Sequence, residues 1–304
     1  MLNLYATIVK NAGSGSTTHV GVVASKRVKG RKMREHISNC VYHIEILPPK
    51  QNSEKLQEDL DLFATKFNRI MDSGYCACIT DNAMGLLSFQ GHETIEHLGL
   101  RVIPEQVMLH LNTFHSKKDL DELLDFCRKK KYKYFLIISG DGSQRLPKLQ
   151  PQDLGLEGSM AVTSVELLAY ISKHYPEFEL GVAFNPYEPP EEEFAKMECK
   201  IAAGATFIIT QPITEKNKIV EELLRKYPGI PVVVEAWMSK KLHLLSDVVG
   251  YAIPEDASFK PIATLTDLHR WFPQCGFYLS LLGFKTQYAA IERLWNQIAK
   301  EGES

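Results

Sequence analysis

The sequence predicts an α/β protein built on a (β/α)8 (TIM) barrel, with an additional N-terminal β-hairpin and basic arm. From residue 41 onward, apolar segments rich in β-branched residues alternate eight times with amphipathic segments of helical periodicity. Several apolar runs are continuous, as in strands that are buried on both faces of a parallel sheet. Eight strand–helix units fit a closed barrel. A doubly wound open sheet has the same local pattern and stays open as the alternative.

The predicted barrel covers residues 41–304. The stretch ELLRKYPGIPVVVE shows one boundary between units: a helix ends at Lys226, a Pro-Gly turn follows, and a continuous apolar strand begins. Periodicity is weakest over residues 248–275. The predicted strands are 41–47, 74–79, 106–111, 134–139, 180–185, 205–210, 231–235 and 276–281, and helices are predicted to begin near residues 52, 88, 116, 163, 190, 214, 239 and 285.

Residues 1–40 are predicted to form an extension ahead of the barrel. Two short strands are expected within residues 3–25, on either side of the turn-rich stretch NAGSGSTT, and the basic run SKRVKGRKMREH follows them. The glycine spacing matches neither the dinucleotide-binding fingerprint nor the P-loop, so a solvated arm is the expected form of the basic run.

Composition argues against several classes of partner. The formal net charge of -2 gives no general attraction to nucleic acid or an anionic membrane, and no apolar run reaches the length of a spanning helix. The N-terminus lacks a signal-peptide pattern and the six cysteines form no C-x-x-C pair, which favours a cytoplasmic protein with reduced thiols. Cys76 and Cys78 share one strand face but are too few to close a zinc site, so no metal is expected.

Polar residues cluster where the predicted strands end. In a barrel, the carboxyl ends of all strands meet at one rim, and active residues gather there. One polar residue at such a point is commonly a helix cap or a turn former, but a ring of them indicates a site. The ring consists of Glu45, Thr80, Asp81, Asn82, His110, Asn112, Ser139, Gly140, Asp141, Asn185, Thr210, Gln211 and Glu235.

Glu45 is the candidate general acid of this ring. Its neighbours Ile44, Ile46 and Leu47 are apolar, and desolvation favours the neutral carboxylic acid, which can donate a proton near neutral pH. A carboxylate paired with a Lys or Arg across the rim is the alternative, and the sequence leaves both open.

Two further motifs favour a site for a planar ligand. In SGDGSQRLPK (139–148), Gly140 lets the backbone approach a ring closely, and Asp141 can accept hydrogen bonds from ring nitrogens. In AAGATFIITQPI (202–213), a strand brings Gln211 to the rim, where its amide offers a donor and an acceptor to a pterin-like edge.

Four motifs together resemble methylenetetrahydrofolate reductases. They are IEILPP around Glu45, GD at 140–141, GVAFNP at 181–186 and KIAAGATFIITQ at 200–211, in that family's order. The resemblance implies a (β/α)8 barrel that reduces 5,10-methylenetetrahydrofolate to 5-methyltetrahydrofolate, in one-carbon metabolism and methionine biosynthesis. It also implies FAD as hydride carrier, NADH or NADPH as hydride donor, and a homo-oligomer or a complex subunit.

The resemblance assigns roles to individual positions. Glu45 matches the glutamate that helps to protonate the folate and open its five-membered ring, and Gln211 matches a folate-contacting glutamine. Asp141 matches the aspartate near the pterin and the flavin, and Lys200 matches a lysine near the flavin phosphates. The residues expected to bind the cofactor are Thr80, His110, Ser139, Gly140, Asp141, Val162, Thr163, Asn185 and Lys200.

Several positions depart from the family pattern around the flavin. Ser139, Asn185, Pro189 and Cys199 stand where the family has arginine, tyrosine, histidine and arginine, and three glutamates open the helix that begins near Pro190. Acids at a helix N-terminus oppose a diphosphate bound there. We therefore expect FAD to be bound weakly, differently or not at all. A flavin-free reductase, a folate-binding methyltransferase that works with a partner, and a non-catalytic subunit stay open as alternatives.

Overall fold

The structure is a computed structural model that describes residues 41–140, 145–156, 160–254 and 258–302. Within them, eight parallel strands pair in chain order and the first pairs with the last, which closes a barrel. The (β/α)8 prediction is confirmed, and the open doubly wound sheet is ruled out. The predicted N-terminal hairpin and basic arm lie outside the described residues. The strands are β1 (Tyr42–Ile46), β2 (Cys76–Ile79), β3 (Val107–Leu111), β4 (Tyr134–Ile137), β5 (Glu179–Phe184), β6 (Phe207–Thr210), β7 (Val232–Trp237) and β8 (Gly276–Ser280).

Helices follow the strands and cover the outside of the barrel. Side-chain caps mark the start of three of them, since Ser116, Thr163 and Asn217 each accept a hydrogen bond from a backbone N–H of the first turn. The helices are α1 (Leu56–Asp72), α2 (Gly91–His97), α3 (Lys117–Lys130), α4 (Ser164–His174), α5 (Pro190–Ala202), α6 (Lys218–Lys226), α7 (Leu242–Val249), α8 (Pro261–Trp271) and α9 (Tyr288–Gly302). No helix of these described ranges is long and apolar enough to cross a membrane.

Helix α8 is an addition that the sequence pattern did not predict. It lies in the weakly periodic stretch 248–275, begins at a proline, and buries Leu265 and Leu268 on one face. A proline at the first helical position is favourable because that position needs no N–H donor. The last barrel unit therefore has two helices, α7 and α8, between β7 and β8.

The barrel interior is filled by side chains of different size. Cys76 and Cys78 are buried there beside Met108, Tyr134 and Phe207, where a thiol packs as a small apolar side chain. Gly181 on β5 leaves room for the ring of Phe207, because a Cβ on that glycine would lie 2.2 Å from a ring carbon. This packing fills the barrel below the rim, so a ligand can enter only from above the strand ends.

Candidate active site

A cavity of about 400 Å³ opens at the carboxyl ends of the strands, where the sequence predicts the site. The residues that line it come from eight segments of the chain, so the barrel closure assembles the site. A cleft of about 660 Å³ lies on the outside, between α2 and α3, and none of the residues proposed from the family resemblance lines it. The rim cavity is lined by Glu45, Thr80, Asp81, Ala83, His110, Ile137, Ile138, Ser139, Gly140, Ser164, Ala183, Lys200 and Gln211.

Glu45 ends strand β1 in this cavity and is held by two hydrogen bonds. The Tyr278 hydroxyl donates to Oε2 at 3.0 Å, and the Leu281 backbone N–H donates to Oε1 at 3.4 Å. Burial raises the pKa of Glu45, and these two hydrogen bonds oppose the increase. Among the described residues, no Lys or Arg forms a salt bridge with Glu45. Burial therefore shifts Glu45 toward its protonated form, in which a carboxylic acid can donate a proton.

Leu281 adopts an uncommon backbone conformation directly above Glu45. Its φ of 54° lies in the left-handed region, which is unfavourable for a residue with a large side chain. Such a conformation costs about 1–3 kcal/mol and persists only where the surroundings enforce it. Its consequence is that the N–H of Leu281 faces the Glu45 carboxyl group.

A second acid, Glu235 on β7, lies close to Glu45. Its Cα pairs with that of Tyr278 in the sheet. Burial raises the pKa of Glu235 to about 8; a hydrogen bond with Ser280 opposes the increase, and the charge of Glu45 adds to it. Two acids in one partly desolvated place do not ionise together near neutral pH, so Glu235 is expected to carry a proton there.

Asp81 fixes the rim beside Glu45, just after the neighbouring strand β2. Its Oδ2 accepts hydrogen bonds from the Asn112 backbone N–H at 3.1 Å and from His115 Nε2 at 2.7 Å. Its Oδ1 accepts from the Asn82 amide at 3.0 Å. Gly140 packs on this network with φ of 80°, and a Cβ there would lie 2.7 Å from the Asn112 Cβ. The acceptor positions of Asp81 are therefore occupied by the protein itself.

Lys200 is the only Lys or Arg among the described residues that line the cavity. Nearby oxygen atoms compensate its charge. Its Nζ donates to the Ala183 carbonyl at 2.6 Å and lies 3.8 Å from Glu193 Oε1. Glu193 is buried and also accepts from the Asn185 backbone N–H at 3.0 Å. Burial lowers the pKa of Lys200, and the charge of Glu193 opposes this decrease.

Comparison with protein families agrees with the motifs at the rim. The chain matches the methylenetetrahydrofolate reductase family over residues 32–257, which is most of its length. The chain belongs to the methylenetetrahydrofolate reductase family. No curated protein matches it.

Solved structures show what this family member resembles in three dimensions. An uncharacterized protein from Clostridium thermocellum, which binds two copies of 5-methyl-5,6,7,8-tetrahydrofolic acid, is 13% identical. It aligns with a TM-score of 0.58 over 87% of this chain and 97% of its own, which shows a shared fold. A 2,3-dimethylmalate lyase of the PEP mutase/isocitrate lyase superfamily aligns at 9% identity with a TM-score of 0.44, over 90% of this chain and 85% of its own.

The structure brings most of the sequence-predicted site residues together but leaves three outside the cavity wall. Val162 is buried in the core, Thr163 caps α4, and the side chain of Asn185 accepts from the Tyr187 N–H. Asp141 lies outside the described residues. The predicted residues that line the cavity are Glu45, Thr80, His110, Ser139, Gly140, Lys200 and Gln211.

Tyr278 is the site residue that sequence reasoning missed. It lies inside the apolar run GFYLS, where a tyrosine is typical of a buried strand. Its contact with Glu45 joins residues 233 positions apart and exists only because β8 closes against β1. Ser164, the first residue of α4, also lines the cavity and was not predicted.

Proposed function

We propose that the chain binds a reduced folate in the rim cavity and reduces 5,10-methylenetetrahydrofolate to 5-methyltetrahydrofolate, with Glu45 as the general acid. The observation that carries this proposal is the half-buried Glu45, whose raised pKa favours the protonated acid and whose two hydrogen-bond donors stabilise the carboxylate left after proton donation. Membership of the reductase family supports the reaction type. The folate bound by the Clostridium thermocellum neighbour supports the class of ligand.

The reaction requires a proton and a hydride in separate places. The bond between the one-carbon unit and N10 breaks, N10 receives the proton of Glu45, and an iminium cation forms at N5. Hydride addition to the iminium carbon then gives the methyl group. Gln211 is proposed to hold the pterin edge through its amide, and Gly140 is proposed to allow a close approach of the ring.

The residues around Lys200 do not fit a flavin diphosphate. The Lys200 ammonium group already contacts the Ala183 carbonyl and Glu193. Helix α5 begins at Pro190 and carries Glu191, Glu192 and Glu193 in its first turn, where a phosphate needs positive potential. We therefore propose that NADH or NADPH transfers hydride to the folate without a resident FAD. The visible absorption spectrum of the purified protein tests this, because a stoichiometric flavin band would contradict it.

Turnover assays test the reaction itself. The protein, methylenetetrahydrofolate and each nicotinamide nucleotide in turn should give 5-methyltetrahydrofolate and oxidised nucleotide in equal amounts. Glu45→Gln keeps the shape of the side chain but removes its acidic proton, so kcat should fall by about 10²–10⁴-fold. Glu191→Gln, on the exposed surface, is the matched control and should keep wild-type turnover. Near-normal turnover by Glu45→Gln would refute the acid role.

The same departures around the flavin favour a second candidate, a folate-binding methyltransferase that works with a partner. Such a protein would keep the folate site but would show no turnover with either nicotinamide nucleotide. Methyl transfer from 5-methyltetrahydrofolate to a thiol or corrinoid acceptor would distinguish it from the reductase. Cytoplasmic location and self-association stay predictions of the sequence.

A further inference from the structure

Three side chains from three strands form a continuous hydrogen-bonded row across the rim cavity. Tyr278 on β8 donates its hydroxyl proton to Glu45 Oε2 at 3.0 Å. The same hydroxyl lies 3.4 Å from His110 Nε2 on β3. The rings of Tyr278 and His110 lie 6.0 Å apart between centroids. Tyr278 thus connects the proposed acid to the imidazole of His110.

The directions of the hydrogen bonds in this row specify which ring nitrogen of His110 carries a hydrogen. A tyrosine hydroxyl carries a single proton and accepts through its oxygen. When that proton faces Glu45, the Tyr278 oxygen can only accept from His110, so Nε2 of His110 must carry a hydrogen. Catalytic hydrogen bonds are often long before substrate binds, and 3.4 Å is within that expectation.

We propose that Tyr278 and His110 form a proton relay that returns a proton to Glu45 after each turnover. This inference rests on the proposed reduction. After Glu45 has given its proton to N10, the carboxylate takes the hydroxyl proton of Tyr278, and Tyr278 takes the Nε2 proton of His110. In the same step His110 takes a proton at Nδ1 from water, so one solvent proton enters for each folate reduced. Before the next turnover the ring exchanges with water, losing the Nδ1 proton and regaining one at Nε2, and the Tyr278 hydroxyl turns back toward Glu45.

A relay gives Glu45 a second route to solvent protons, in addition to direct access through the cavity. His110 is partly exposed in the cavity wall and can exchange protons there. Burial lowers the pKa of His110 to about 4 despite the charge of Asp81, so the ring is neutral near neutral pH. Burial raises the pKa of Tyr278 well above its ordinary value. Neither group ionises by itself, so the protons move in concert along the row. The titratable groups that face the row are Glu235, Asp81, Cys78 and Lys200.

A nitrogen-15 NMR measurement tests the geometry without any substrate. In protein labelled at histidine, His110 should show a hydrogen on Nε2, and its signal is assigned by its loss in His110→Ala. Tyr278→Phe removes the accepting oxygen and should abolish the preference for that tautomer. An Nδ1–H tautomer in the wild type, or the same tautomer preference in Tyr278→Phe, would overturn the relay.

Kinetics test the same row in the working enzyme. Tyr278→Phe and His110→Ala should lower kcat by about 10- to 100-fold, the lower range of proton-transfer effects, with the Kd for folate within about twofold. Imidazole in solution should restore part of the rate of His110→Ala, which a merely structural role would not allow. Tyr42→Phe is the control, since it removes another buried tyrosine hydroxyl that contacts His269 at 3.0 Å.

The outcomes separate the relay from the reaction. If the wild type reduces folate and Tyr278→Phe keeps its kcat, the relay is wrong and the reductase stands. If the wild type reduces no folate, the reductase is wrong, and the NMR result alone decides whether Tyr278 and His110 share a proton. Loss of kcat in Tyr42→Phe to the same extent would show that any buried hydroxyl matters, and would also overturn the relay.

Discussion

Replacement of Glu235 by Gln should change how stability depends on pH. The carboxyl group of Glu235 lies on β7 beside Tyr278 and near Glu45, and burial raises its pKa to about 8. Gln has nearly the same shape as the protonated acid and can keep the hydrogen bond with Ser280, but it cannot ionise. The variant therefore isolates the protonation of one buried group from the rest of the rim.

The sign and size of the effect follow from proton linkage. The unfolded chain ionises Glu235 near its ordinary pKa of 4.5, whereas the native chain holds the proton up to about pH 8. The native state binds more protons between these values, so its stability falls as the pH rises, and the contribution is lost through the native pKa. At about 1.4 kcal/mol for each pH unit, the loss approaches roughly 5 kcal/mol in the wild type, and Glu235→Gln should lack it.

Urea denaturation at several pH values between about pH 5 and pH 8 measures this difference. Between about pH 5 and pH 8, the free energy of unfolding should fall much less for Glu235→Gln than for the wild type. Glu191→Gln, an exposed substitution, should follow the wild-type curve. Parallel curves for the wild type and Glu235→Gln would mean that Glu235 is ionised in the native state across this range, and would refute the raised pKa of this buried acid.

Three further substitutions probe the barrel and its rim. Both ring nitrogens of His43 are buried without a partner among the described residues, so His43→Leu should raise the free energy of unfolding by about 1–2 kcal/mol. Because burial lowers the pKa of His43 to about 4, the gain should be larger near pH 5 than near neutral pH, and no gain by urea denaturation would contradict it. Gly140→Ala brings a Cβ 2.7 Å from Asn112 at a φ of 80°, and should destabilise the protein by about 1–3 kcal/mol and weaken folate binding in a titration; wild-type affinity would count against the predicted role. Lys200→Met removes one of the two cations near the buried Glu193, whose Oε2 also lies 3.6 Å from Lys196 Nζ, and should cost about 1–3 kcal/mol in thermal unfolding, most of which the double variant with Glu193→Gln should recover.

The sequence predicted the fold because each strand–helix unit carries its own signals. Continuous apolar runs such as PVVVE, preceded by a Pro-Gly turn, mark strands that are buried on both faces. Helix α8 was missed because it lies in the connection between β7 and β8, where α7 already supplies the one helix expected. The strand–helix pattern predicts one helix after each strand, and it cannot reveal a second helix in the same connection.

Only the site residues that stand at the ends of recognisable strands could be predicted from the sequence. Glu45, His110 and Gln211 stand at the ends of recognisable strands, and closure of the barrel brings them to one cavity. What a strand end cannot reveal is the partner of each group. The Tyr278 hydroxyl and the Leu281 N–H contact Glu45 across more than 230 residues of sequence, and their orientation depends on the register between β8 and β1.

The charges of the described rim bear on how the proposed cation at N5 is stabilised. Asp81 is held by its own hydrogen bonds, and Lys200 is compensated by Glu193, so neither offers a free charge. Asp141, predicted for this role, lies outside the described residues. Once Glu45 has released its proton, it becomes a carboxylate in a partly desolvated cavity, where it attracts a neighbouring cation strongly. The acid that opens the ring thereby supplies the anion that stabilises the product of ring opening. Hydride transfer removes the cation and its attraction, and the preference of a buried carboxyl group for its neutral form then favours proton return to Glu45.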